Sequence, residues 1–211
     1  MKHATPAIIR REHCVLSAML RCIAMLLAEH RRRNSLPDFK MLRAMLFYVD
    51  EFPEKLHHTK ESQLLFPLLR GHSHEADSLL DRLDKDHVRS EQAIHQLEHD
   101  LLGFEMMGEP RRKPFELSMT CYVSEYLTHM RLEESAILPM AESVLTVDEW
   151  QGLDGAFLAN HDPLLDYPAD EGYSSLFQKI LKELPSPLGL GSMLSALSGR
   201  SVPTTPQIDL R

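Results

Sequence analysis

Apolar residues recur along this chain at the three- and four-residue steps of an α-helical face, in four long stretches. In the first, Ile9, His13, Leu16, Leu20, Ile23, Leu27 and His30 follow at steps of 4, 3, 4, 3, 4 and 3. Thr5 is expected to cap this helix, with Pro6 at its first helical position. The second stripe is Leu42, Leu46, Val49, Pro53, His57, Glu61, Leu64 and Leu68, on a helix from Pro37-Asp38 to about Arg70. Pro53 should kink it, and Gly71 should stop it. Ser73 caps the third, with Ala76, Leu80, Leu83, His87, Ser90, Ile94, Leu97, Leu101 and Phe104 inward and a frayed end at Gly103, Gly108 and Pro110. Pro114 opens the fourth, with Phe115, Tyr122, Tyr126, His129, Glu133, Ala136 and Met140 inward. Thr146-Val147-Asp148-Glu149 has the capping-box form and starts a shorter helix through Trp150, Leu153 and Phe157.

These patterns predict an all-α fold: an up-down-up-down four-helix bundle with one or two additional short C-terminal helices. The bundle and its short extra helix are assigned to residues 1–168. Residues 169–211 are read as an amphipathic segment, roughly Tyr173 to Leu184, and a disordered tail rich in Pro, Ser and Gly.

Each long stripe is interrupted by a histidine where a leucine costs less: His13, His57, His87 and His129. The intervals are 44 residues from His13 to His57 and 42 from His87 to His129, so the helix pair looks duplicated. Two of the histidines carry a glutamate one turn on, as His57-x-x-x-Glu61 and, 72 residues later, His129-x-x-x-Glu133. Both motifs run into a similar tail, Leu64-Leu65-Phe66-Pro67 and Ala136-Ile137-Leu138-Pro139. Four imidazoles and two carboxylates at one level of a bundle suit a dinuclear site for iron, manganese or zinc. As plain buried hydrogen-bonded pairs they carry a desolvation cost that nothing offsets.

The pattern His13 … His57-His58-x-x-Glu61 … Leu65-Phe66-Pro67 … His87 … His129-x-x-x-Glu133-Glu134 … Ile137-Leu138-Pro139 resembles the hemerythrin-like, or HHE cation-binding, family over about residues 7–145. The resemblance implies a non-haem di-iron centre, two iron ions with an oxo or hydroxo bridge, used to bind or respond to oxygen, nitric oxide or peroxide. Its ligands are then His13, His57, Glu61, His87, His129 and Glu133. Oxygen-carrying hemerythrins differ in having a second histidine on the third helix, where Glu91 stands here, and an aspartate where Glu133 stands.

Other residues receive plainer readings. His30 lies about 25 Å along the axis from His13, too far to share its centre. His58 points roughly 100° away from His57 and is assigned an outer or surface place. His72, His74, His95 and His99 are expected in solvent, and His161 in a loop. Tyr126 and Glu91 are candidates for places beside the metals. A ferritin-like centre needs two Glu-x-x-His motifs, and only Glu54-Lys55-Leu56-His57 has that form.

The net charge of −8 argues against a phosphate backbone as partner, and the basic runs Arg31-Arg32-Arg33 and Arg111-Arg112-Lys113 are read as helix ends and loops. Three cysteines without a CxxC pattern favour a reducing compartment. The apolar run Val15 to Ala28 is interrupted by Arg21 and is read as too short for a membrane span. The expectation is a cytoplasmic protein that binds or senses a small diatomic ligand or peroxide, without nucleic-acid or membrane partners; a homodimer is left open. A di-iron oxidoreductase that scavenges peroxide or nitric oxide, and iron storage or donation, are the alternatives.

Overall fold

The structure is a computed structural model that describes residues 3–159, and all its regular elements are helical. The assignments to His161, to Tyr173–Leu184 and to the 169–211 tail lie outside the described residues.

The first helix, α1 (Thr5–Arg32), buries the expected face from Ile9 to Leu27. Its cap differs from expectation. Ala4 occupies the N-cap without a side-chain bond, and Thr5 gives its backbone N–H and its hydroxyl to Asp154, both at 2.7 Å. A tertiary carboxylate therefore does the work expected of a local cap. The whole of α1, longer than the Val15–Ala28 run, is long and apolar enough by length and composition alone to cross a bilayer. Its apolar face is nonetheless occupied by the protein core.

The second rod is continuous in space but not uniformly α-helical. It comprises α2 (Phe39–Val49), a π-helical stretch Asp50–His57, α3 (His58–Lys60), a second π stretch Glu61–Leu65, and α4 (Phe66–Leu69). Asp38 caps it through bonds to the amides of Lys40 and Met41, and Gly71, at φ +82°, follows its end. The third helix, α5 (His74–Met107), is capped by the Ser73 hydroxyl and runs through Gly103 without fraying. Gly108, at φ +71°, turns the chain directly into α6 (Glu109–Leu132). That helix begins before Pro114, because Pro110 already sits in its first turn. It passes into a third π stretch, Glu133–Ile137, then α7 (Leu138–Val144) and the capping-box helix α8 (Val147–Leu158).

The π stretches explain the one systematic difference in the inward stripes. Pro67 and Pro139 lack an N–H and clash with the carbonyl four residues back. The preceding residue bonds five back instead, Phe66 N–H to the Glu61 carbonyl and Leu138 N–H to that of Glu133. Each bulge adds one residue and advances the buried face by one. Leu65, Phe66 and Leu69 are buried where Leu64 and Leu68 were expected, and Ile137, Leu138 and Ala141 where Ala136 and Met140 were. Pro53, expected to produce a kink, likewise sits in a π stretch, where His58 N–H bonds the Pro53 carbonyl.

The core divides into two apolar clusters. One contains Leu16, Leu20, Ile23, Leu46, Ile94, Phe104 and Tyr122. The other contains Ile9, Leu65, Phe66, Leu83, Ile137 and Trp150. In α1, the second rod and α5 the change from one cluster to the other falls at a histidine, and in α6 it falls just past His129, between Met130 and Leu132.

Candidate metal centre

The layer between the clusters is polar. His13, His57, Glu61, His87, His129 and Glu133 are all buried, and the two glutamates are 1% exposed. Register sets this convergence: His13 and His87 replace apolar residues on α1 and α5, while Glu61 and Glu133 follow their histidines by one turn.

The histidines meet in two pairs. The Nε2 atoms of His13 and His57 stand 3.1 Å apart, and those of His87 and His129 stand 3.0 Å apart. Two nitrogens each about 2.1 Å from one ion are separated by roughly 3 Å, so both spacings suit a shared cation. Glu61 turns one oxygen to His57 Nε2 at 3.2 Å and the other to His87 Nε2 at 3.6 Å. Glu133 does the same in the other sense, reaching His13 at 3.3 Å with one oxygen and His129 at 3.1 Å with the other. Each carboxylate spans both pairs.

Protons on the outer ring nitrogens leave Nε2 lone pairs facing inward. His57 Nδ1 donates to Glu12 at 2.6 Å, and His13 Nδ1 donates to Glu134 at 3.0 Å. His87 Nδ1 donates to the Ser62 hydroxyl at 2.8 Å, whose own proton goes to Asp84 at 2.7 Å. Among the described residues, Glu61 Oε2 and both oxygens of Glu133 are buried without a hydrogen-bond donor. Buried carboxylate oxygens without donors are costly, and a cation satisfies them. The donor set and its vacant lone pairs therefore fit metal ions.

The local field has the same sense. Burial works to lower the pKa of His57, but Glu61 and Glu12 outweigh it and hold the group well above its ordinary value. Burial works to raise Glu133, but His129, His13 and His87 hold it well below the carboxylate range. A layer that favours imidazolium and carboxylate is negative enough to favour a metal cation.

His58 is not at the surface. It is 4% exposed, with its ring stacked 3.9 Å from that of His87. Its Nδ1 donates to Glu54 at 2.9 Å, and its Nε2 accepts from the Tyr126 hydroxyl at 2.9 Å. Both nitrogens are thus engaged outside the ligand cluster, although one lies within 4.8 Å of the donor atoms of Glu61, His87 and His129. Burial and the neighbouring His87 and His129 push its pKa well down, so it is a neutral imidazole. Glu54 also accepts from Tyr122 at 2.7 Å and from Ser90, and burial raises its carboxyl to about 7. The i,i+4 spacing of Glu54 and His58 is the sequence signal for this pair.

The remaining sites divide cleanly. Tyr126 does lie beside the centre, with its ring 6.1 Å from that of His129. Glu91 is exposed and does not enter it. His30 is occupied with Ser35 at 2.9 Å. His72, His74, His95 and His99 are exposed, with His95 3.2 Å from Asp50. Arg112, expected in a loop, is buried in α6 and 3.7 Å from Glu116. Glu12, Glu134, Ser62 and Asp84 were not anticipated, since polar neighbours of a ligand carry no periodicity.

An all-α fold enclosing a buried layer of histidines and glutamates defines a helical cation-binding protein. Residues 4–141 match the Hemerythrin HHE cation binding domain, and the chain belongs to that family. No curated protein and no solved structure matches the chain.

Proposed function

We propose that the chain is an up-down-up-down four-helix bundle holding a non-haem di-iron centre, which binds or senses oxygen, nitric oxide or peroxide in the cytoplasm. One observation carries the reading: Glu61 and Glu133 each present one oxygen to either histidine pair. Two cations, one per pair, with both carboxylates shared, use every inward donor. The metal ligands in this reading are His13, His57, Glu61, His87, His129 and Glu133. When bound, such a centre supplies redox-active iron with positions left for a small ligand. The protein's residues orient the imidazoles through Glu12, Glu134 and Ser62 and exclude bulk water with two apolar layers. The buried Tyr122 and Tyr126 beside the centre favour an oxidoreductase as second reading.

Metal analysis with an optical spectrum tests the proposal. The expected result is two iron ions per chain and a near-ultraviolet band that azide or nitric oxide alters. A protein that folds fully and takes up no iron overturns it. Repeated consumption of peroxide or oxygen selects the oxidoreductase reading over the sensor.

A further inference from the structure

Beside the ligand layer runs a chain of polar side chains that no metal ligand requires. Tyr126, His58, Glu54 and Tyr122 are each 6% exposed or less. The Tyr126 hydroxyl donates to His58 Nε2 at 2.9 Å, and His58 Nδ1 donates to Glu54 Oε2 at 2.9 Å. The other carboxylate oxygen, Oε1, accepts from Tyr122 at 2.7 Å and from Ser90. The rings of Tyr126 and His58 stack at 5.3 Å, 19° from parallel. Tyr126, Tyr122, His58 and Ser90 all line one cleft of about 320 Å³, where a small molecule meets them.

A phenol in this setting resists ionisation. Burial and the nearby Glu54 carboxylate hold the Tyr126 hydroxyl well above its ordinary pKa. Removing one electron from it leaves a cation in a dry interior unless the proton departs as well. Tyr126 has an acceptor in place for that proton. It passes to His58 Nε2 as the Nδ1 proton passes to Glu54 Oε2, and His58 ends neutral, as it began. Oε2 is the oxygen with a lone pair to spare, because it accepts one bond where Oε1 accepts two. The shift reverses two hydrogen bonds and breaks neither. Burial already raises the Glu54 carboxyl to about 7, so its protonated form costs little near neutrality.

We propose that Tyr126 is a redox-active tyrosine, giving one electron to an oxidant in the cleft while its phenolic proton moves to His58 and the His58 Nδ1 proton moves to Glu54. The oxidant is of the peroxyl-radical class, which takes the electron and becomes a hydroperoxide anion. The O–H bond of Tyr126 and the Nδ1–H bond of His58 break. An N–H bond at Nε2 and an O–H bond at Glu54 form, and the unpaired electron stays on Tyr126 as a neutral radical. Tyr122 remains reduced, since Glu54 takes a single proton. The inference rests on the hydrogen-bond chain and not on the di-iron reading.

The full chain, oxidised by photogenerated ruthenium(III) tris-bipyridine, tests this by electron paramagnetic resonance. A long-lived radical whose spectrum narrows on ring deuteration of tyrosine is expected. Tyr126→Phe should remove it, and Tyr122→Phe should retain it. Glu54→Gln keeps both phenols but takes no proton, and should slow its formation by roughly a hundredfold. In the wild type it should form more slowly in heavy water, a readout that needs no variant to fold. The inference is overturned if Tyr126→Phe leaves the radical unchanged, if Glu54→Gln forms it at the wild-type rate, or if both solvents give one rate. Absence of the radical from a chain that holds two irons removes this inference alone. A chain that yields the radical and takes up no iron removes the di-iron reading alone.

Discussion

His13 and His57, 44 residues apart in the chain, bring their Nε2 atoms to 3.1 Å in a layer where each is less than 5% exposed. Two lone pairs held so close in a dry interior are unfavourable unless a proton or a metal cation lies between them. Metal removal should therefore cost stability. Thermal unfolding of iron-loaded and chelator-stripped protein should differ by several kcal/mol, on the order of RT ln(1 + [L]/Kd) for tightly held ions. Equal midpoints would mean that the layer needs no metal.

Single ligands should behave differently from bystanders. His57→Ala or Glu133→Ala leaves buried partners without compensation and should lower both iron content and stability, by about 3 kcal/mol or more. His30→Ala, whose ring bonds Ser35 at the end of α1, should keep the full metal content. Elemental analysis beside a denaturant titration checks both.

The π stretch after Glu61 makes adjacent leucines unequal. Leu65 is fully buried and Leu64 is 39% exposed. Leu65→Ala should cost about 2–5 kcal/mol, and Leu64→Ala less than about 1 kcal/mol. An unbroken α-helix predicts the reverse order, so urea midpoints of the two variants decide the register.

Asp154 links the end of the chain's described region to its start by accepting two bonds from Thr5. Burial works to raise its pKa, but the Thr5 bonds outweigh it and lower the group below 3.8. With the folded value depressed, its stabilisation is present above the unfolded pKa and is lost as pH falls through the folded value. Melting curves between pH 5 and pH 2 should show this loss in the wild type, and Asp154→Asn should remove that part of the acid dependence.

The cysteines should label in order of exposure. Cys121 is exposed, Cys14 is intermediate and Cys22 is buried, with burial raising the Cys22 thiol to about 11. At pH 8 a maleimide should modify Cys121 first and Cys22 only on unfolding. Mass spectrometry of timed samples reads the order.

The sequence by itself determined the helices and the six residues of the layer. Helix periodicity is local, and a histidine on an apolar stripe stands out because the stripe predicts a leucine there, as at His13 and His87. The paired His-x-x-x-Glu motifs also carried the resemblance that the family match supports. Tertiary structure decided the rest, for reasons that periodicity cannot carry. A π bulge at Pro67 or Pro139 moves the buried face by one residue, and nothing in an averaged stripe records an inserted backbone bond. The outer place expected for His58 is the one it takes, but its burial between Glu54 and Tyr126 depends on the packing of α6 against the second rod. The outer partners Glu12, Glu134 and Ser62 depend on where separate helices face one another. Those contacts are non-local, and only the packed chain brings them into being.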